Sequence, residues 1–555
     1  MRLAIVIALL ELIACGANTS SPPRVARTQP PALAQPAAPE TTANVGDDPF
    51  LRTAEERLTG PAAEVTHATI QVNLPAVPSF EVLVRNDGSH TVQELRTAGH
   101  RLLGSEITVV GHVTWVYDCV VDKQTVGKTR AQVQKAIDED PTICERMKIY
   151  LGDSRGTARE KSLWVVDVPR PPNKLERQRL PKEQLRSWPV VPKFKVGEYV
   201  AITGTFALSS PHNERNSDGL LVYKAVERLR IAAAAQTTAL ASSPPAVLPP
   251  LHVQRVFSAP ATRDALRESL MHSKRGAQAF GSKQYEVAQE HYTAAIKAWD
   301  SNHAAWYGLG GSTILRGDWQ TASDALMHAY ERDPDQAMYA MYAGIALYRG
   351  VITAAKEQQG KREQKRPDEV EVDYSKLDFN LAQQYLEKAI ALNPDLWKAH
   401  YYLGSIFRDR GHAKSATEAF TRSVQHVPSD PGPWVALAEM YRRWDYSDQA
   451  ILVAEQGTAV IPGDAGRSDV WFVVGMAYMD KGVMASAINA LSHAIEARRD
   501  NAKAYLGRGQ ARFRTNQLAE AKRDLESFLS FGTSTSGFEH QQANRMLLDI
   551  AARRR

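Results

Sequence analysis

Cysteine is scarce in this chain of 555 residues: Cys15, Cys119 and Cys144 are its three copies. That is too few for a disulfide framework, and no C-x-x-C spacing of the kind zinc sites use is present. Histidines such as His303, His400 and His426 stand apart without ligand spacing, so no metal or other cofactor is expected. Catalytic signatures are missing too: there is no HExxH, GxSxG, Walker phosphate loop or Rossmann fingerprint. Glu214, Asn216 and Asp218 echo a calcium loop, but Ala225 stands where the closing glutamate belongs. No catalytic residue is therefore expected, and an enzyme of unrecognised type in the middle of the chain is the residual reading. Charge of one sign is also in short supply, and a net +5 is too mild to argue for a nucleic-acid protein. The apolar run from Leu3 to Ala14 is too short to span a bilayer.

What the chain does have is a register. Gly276, Gly310, Gly344, Gly404, Ala438, Gly475 and Gly509 recur 34 residues apart wherever nothing is inserted, the period of a helical-hairpin solenoid. Around it, Trp306, Leu309 and Gly310 mark one helix face at i, i+3 and i+4. Ala322, Leu326 and Ala329 form the inner face of a second helix, which Pro334 stops because proline lacks the amide hydrogen. The order returns as Trp434, Leu437, Ala438 and Tyr441, and again as Trp471, Val474, Gly475 and Tyr478.

These positions resemble the tetratricopeptide repeat family. The resemblance implies an α-helical solenoid of about seven hairpins over residues 263–535, with a charged insertion near 351–376. A capping helix and basic tail follow over 536–555, marked by Phe538, Met546, Leu547 and Ile550. It further implies a concave groove lined by the first helix of each hairpin and filled by a protein or peptide ligand. Counting the register residue as position 8, position 5 gives Tyr307, Tyr401 and Phe472, and position 12 gives Tyr348, Arg408, Arg442, Met479 and Phe513. Aromatic and methionine side chains among arginines are the composition of a peptide-binding surface; packing against the neighbouring repeat is the alternative use of the same residues.

At the start of the chain, Arg2 precedes the apolar run, which ends in Leu12, Ile13, Ala14 and Cys15. This resembles a bacterial lipoprotein signal, although Glu11 is an unusual residue within it; a plain signal peptide or a mistaken start site is the alternative. The resemblance implies a signal peptide over 1–14, lipidation of Cys15 and a membrane anchor. Gly16 rather than aspartate after the cysteine favours the outer membrane, and the expected location is the cell envelope, facing the periplasm. Residues 15–49, rich in proline, alanine and serine, read as a tether, and 232–262 as a second linker. With Cys15 assigned to lipid, Cys119 and Cys144 remain as an even pair in an oxidising compartment and are expected to form a disulfide, with free thiols as the alternative.

The linkers isolate a middle domain over 50–231 that reads as strands: Ile107–Val116, Met147–Leu151, Leu163–Val168, Tyr199–Phe206 and Leu220–Tyr223. Glycines within them, such as Gly111 and Gly204, suggest the bends of a small barrel. The order of these segments resembles the oligonucleotide/oligosaccharide-binding barrel. Between the third and fourth strands, Arg170 to Lys195 carries eight lysines or arginines against Glu176 and Glu183. The first reading of this segment is a solvated loop; Arg170, Lys174, Arg177 and Arg179 are its candidate anion contacts. The expected function is a membrane-anchored scaffold that recruits a protein through the groove; the alternative is an envelope glycan- or nucleic-acid-binding protein acting through the barrel.

Overall fold

β-Branched residues at alternate positions build a closed barrel in the middle of the chain. The computed structural model describes residues 72–123, 129–140, 143–157, 161–212, 214–229, 237–367, 370–531 and 537–553. Cys15, the segment 1–14 and the tether 15–49 lie outside them. Strands β2 (Glu106–Val116), β3 (Met147–Gly152), β4 (Leu163–Val168), β5 (Tyr199–Ser209) and β6 (Arg215–Arg228) close in the order β2-β3-β4-β6-β5. β4 and β6 run parallel and all other neighbours antiparallel. Ile107, Val109, Val113, Ile149, Leu151, Val165, Val200, Ile202, Phe206 and Leu221 fill the interior. The bend at Gly204 has a steric cause: a Cβ there would lie 2.2 Å from the Val222 carbonyl oxygen, where the β5–β6 register shifts. Helix α1 (Val92–Ala98) adds Val92 and Leu95 to this core, and Asp153 accepts hydrogen bonds from the Val92 and Gln93 amides at its first turn.

Among the described residues, two strands lie outside the barrel. β1 (Glu81–Arg85) pairs antiparallel with β7 (Thr237–Ala241), so part of the stretch expected as linker is ordered in a ribbon. Its Thr-Thr-Ala-Leu-Ala sequence is too short to signal a strand alone; its partner supplies the β-branched residues Val82 and Val84. Cys119 and Cys144 form the expected disulfide, with Cα atoms 5.4 Å apart.

Helical hairpins follow, each a helix A and a helix B. Their ranges are Arg263–Gly281 and Tyr285–Ala298, His303–Arg316 and Trp319–Arg332, Ala337–Glu363 and Asn380–Leu392, and Trp397–Asp409 and Ala413–His426. Next come Pro431–Arg443 and Ser447–Val460, Asp464–Asp480 and Met484–Ala497, and Ala502–Arg514 and Leu518–Ser530, before a capping helix over Gly537–Arg553. The register residues sit where the two helices of a hairpin cross. A Cβ on Gly310, Gly404, Gly475 or Gly509 would lie 2.5 to 3.0 Å from Leu326, Phe420, Leu491 or Leu525 of helix B, all sixteen residues on. Repeat five reverses the arrangement: its register residue is Ala438, and the residue sixteen on is the equally small, fully buried Ala454.

A second period marks the A–B turns. Lys283, Gly317, Gly411, Asp445, Gly482 and Asn516, each seven residues after the register position, have positive φ. In repeat three that position is Val351, whose branched side chain disfavours the left-handed region. Helix A accordingly runs on to Glu363, and Gln364 takes φ 55° instead. The charged insertion is therefore largely an extension of this helix.

The chain divides into two compact units. Leu248–Gly350 with Phe379–Pro394 is one; Ile70–Val247, Val351–Asp378 and Asp395–Arg555 make up the other. In the first, residues 249–258 do not dangle. Gln384 donates to the Pro249 carbonyl, the Val256 amide to Glu331 and the Ser258 amide to Ser301 Oγ, which pins this proline-rich segment along repeats three, two and one. Buried loop polar groups are satisfied in each unit by the same device. Asn302 bonds Ser269 and the Ala305 amide; Asn501 bonds Ser468 and the Ala504 amide.

Candidate protein-binding groove

The residues expected on the groove face of each helix A fall into distinct environments. In the first unit, Tyr307 lies among Tyr339 and Tyr342, with ring centres 4.8 and 5.9 Å away. Burial pushes its hydroxyl up to about 12. Tyr348 is buried against Phe379 at 5.3 Å, so it packs its own hairpin rather than facing a ligand.

In the second unit, Tyr401 rests on Tyr402 and Phe420, with ring centres 5.3 and 5.7 Å away. Arg408 is exposed and paired with Asp409 at 2.8 Å. Arg442, expected as an open groove cation, is instead enclosed between Glu439 at 3.1 Å and Asp480 at 3.2 Å. Burial opposes its charge most strongly, but the two carboxylates outweigh that and hold its pKa above the ordinary value. Met479 is buried in the core between repeats six and seven, which removes it from the groove surface. Phe513 is half-buried against the last hairpin, with the Arg553 guanidinium 4.8 Å above its ring. Four residues apart on a helix, Phe472 and Met476 both reach the concave side.

What faces Phe472 and Arg442 is the barrel. Val92, Arg96, Leu163, Trp164 and Asp218 on one side, and Glu439, Arg442, Phe472, Met476 and Leu506 on the other, enclose a cavity of about 400 Å³. Its rim is held by charge. Arg96 pairs with Asp445 at 3.1 Å, Lys161 bridges Asp445 and Asp480, and Arg443 meets Asp218 at 3.0 Å. Arg96 and Arg443 each donate to the other's backbone carbonyl at 3.0 Å. The carboxyl of Asp445 is pushed up by burial, but Arg96 and Lys161 more than compensate and hold it below its usual range. Beside the rim, Phe80 is fully buried among Tyr441, Trp444 and Tyr446. Gln456 both accepts from and donates to the backbone of Asn73.

The barrel contributes an aromatic file across three strands. Trp115 stacks on Tyr150 at 4.7 Å and Tyr150 on Trp164 at 5.8 Å. Trp164 reaches the cavity, and Arg545 of the capping helix lies 4.9 Å over Trp115. The cleft between barrel and repeats escaped sequence reasoning because its partners are far apart in the chain; Arg96 and Asp445 are 349 residues distant.

The basic segment is ordered. Arg170 forks onto Glu176 at 2.7 and 2.6 Å and so neutralises a carboxylate, which corrects its expected place among the anion contacts. Glu176 is drawn down to about 2, first by the Arg170 hydrogen bonds. Arg177 donates to the Pro172 carbonyl, Arg179 is exposed, and the Lys174 side chain lies outside the described atoms.

The chain is thus a multidomain protein, in which a closed five-stranded barrel rests against helical hairpins of the second unit. Residues 275–337, 368–431 and 475–525 match the tetratricopeptide repeat model, and the C-terminal half is a tetratricopeptide-repeat array. Repeats of this kind mediate protein–protein interaction and bind protein or peptide ligands. Similar solved structures include a tetratricopeptide repeat protein from Parabacteroides merdae, 14% identical over 52% of this chain and 99% of that one, with TM-score 0.35. PilF of Pseudomonas aeruginosa is 14% identical over 44% and 97%, with TM-score 0.33. YrrB, a repeat protein with an unusual peptide-binding site, is 14% identical over 40% and 98%, with TM-score 0.28. No curated protein sequence matches the chain.

Proposed function

We propose that this protein is a membrane-tethered scaffold of the bacterial envelope, anchored through lipid on Cys15 at the outer membrane, faces the periplasm and recruits a protein partner through its repeats. One observation carries the recruiting part: the face of repeats five to seven already accommodates a folded protein surface, its own barrel and the segment before β1, through partly buried ion pairs and an aromatic anchor. That combination of a desolvated aromatic, arginines and carboxylates is how protein interfaces are held. The runner-up, glycan or nucleic-acid binding on the barrel, is less well supported, because the aromatic file that would stack on such a ligand ends in the cleft at Trp164 and under Arg545 at Trp115.

Anchor and recruitment are tested separately. Replacing Cys15 with serine should move the protein from the membrane to the soluble fraction and abolish palmitate labelling; retention with label would sink the anchor. A crosslinking pull-down from isolated envelopes should recover a protein with the intact chain and much less with Tyr401→Ala/Arg408→Glu. Recovery of polysaccharide or nucleic acid in its place would favour the runner-up.

A further inference from the structure

The excursion between β4 and β5 is fastened at both ends and leaves its cations outside. At its start, Asn173 and Glu176 form a capping box around the short helix Lys174–Arg179, and the Arg170 fork ties that helix to the end of β4. Trp188 Nε1 donates to the Arg170 carbonyl at 2.7 Å, closing residues 170–188 into one loop. At its end, Phe194 packs against the barrel core, and Arg228 donates to the Lys193 carbonyl at 2.7 Å. Along this segment Arg177, Arg179, Lys182, Arg186, Lys193 and Lys195 are all exposed, and Glu183 is the one carboxylate from Arg177 to Lys195. Two aliphatic side chains stand in water among them: Val190 is 90% exposed and Val196 66%. Pro181, Pro189 and Pro192 limit the freedom this segment has to fold them inward.

We propose that residues 177–196 form a docking face for an anionic phospholipid surface, the cations meeting lipid phosphates and Val190 and Val196 entering the headgroup boundary. A basic loop held open by fixed contacts loses little conformational entropy on docking, and each lysine or arginine near an anionic bilayer adds to the attraction. The two valines decide between classes of polyanion. A nucleic acid or soluble acidic polymer would leave them in water, whereas a bilayer boundary takes apolar side chains beside cations. This contact would set the barrel against the membrane and is separate from any lipid on Cys15.

The test uses the full chain with Cys15→Ser, so that no lipid anchor contributes, sedimented with vesicles. Vesicles of phosphatidylethanolamine and phosphatidylglycerol should bind at least about tenfold more tightly than phosphatidylcholine vesicles, with the preference lost in high salt. Arg177→Glu, Arg179→Glu, Lys182→Glu and Arg186→Glu together should abolish the preference. Val190→Asp alone should weaken binding several-fold at unchanged salt sensitivity, and its single exposed site keeps the test valid if the fourfold variant misfolds. Equal binding to both vesicle types, undiminished binding by the Val190 variant, or binding to an oligonucleotide or heparin but not to vesicles would overturn the proposal.

Discussion

Asp445 lies 3.1 Å from Arg96, and it does so from a left-handed backbone conformation, φ 64°, at the turn of repeat five. The other repeats that make this left-handed turn fill it with glycine, asparagine or lysine; here the same position also carries the carboxylate that the barrel grips. The turn that ends a helix has thereby become the point at which two domains are fastened.

Asp445→Asn separates these roles, because asparagine tolerates the left-handed region and keeps the shape while losing the charge. It should leave the repeats folded but weaken barrel docking by about 1–2 kcal/mol. Hydrogen exchange should rise in residues 92–98 and 161–164. The pH dependence has a definite sign. Since Arg96 and Lys161 depress the folded carboxyl below 3.8, the unfolded chain takes up the proton first. The stabilisation is present above that value and fades as pH falls below it, so parent and variant should converge in acid. Equal exchange at neutral pH would show the pair to be incidental.

Arg408 and Arg442 share a register position but should respond oppositely to charge reversal. Arg408→Glu alters an exposed side chain on the helix surface, beside Asp409, and should change stability by less than about 0.5 kcal/mol. Arg442→Glu places a third carboxylate beside the part-exposed Glu439 and the buried Asp480. It should cost about 1–3 kcal/mol, less than breaking a fully buried pair, because solvent still reaches Arg442 and Glu439. Thermal melts of the two variants decide the point, and similar melting temperatures would contradict the enclosure of Arg442.

Local periodicity made the repeats legible: Gly310, Gly404 and Gly475 announce close helix crossings through size alone. The barrel strands were legible for the same reason, since Ile107–Val116 and Tyr199–Phe206 carry their alternation within a few residues. The long helix of repeat three was half-visible. Its insertion could be counted, but that Val351 removes the turn follows from backbone geometry at one residue. The groove was legible as a face and not as a surface, because burial of Tyr348, Arg442 and Met479 depends on what lies opposite. Position along a helix says which way a side chain points, not what it meets.

The pair Ala438 and Ala454 offers the sharpest test of the packing account. In the other repeats a glycine on helix A receives a large residue from helix B; in repeat five both are alanine. If that exchange is compensation, Ala454→Leu should overpack the crossing and cost about 1–3 kcal/mol. Ala438→Gly alone should cost about 0.5–1 kcal/mol, through glycine's greater loss of freedom in a helix. Combined, the two changes recreate the Gly–Leu pairing of Gly475 with Leu491 and should be less damaging than Ala454→Leu alone. The coupling expected between residues in contact is about 0.5–3 kcal/mol. Denaturant unfolding of the parent, both single variants and the double variant measures it directly. Additive losses would mean that the small residue on helix A does not set the size of its partner on helix B, and the 34-residue register would need another physical cause.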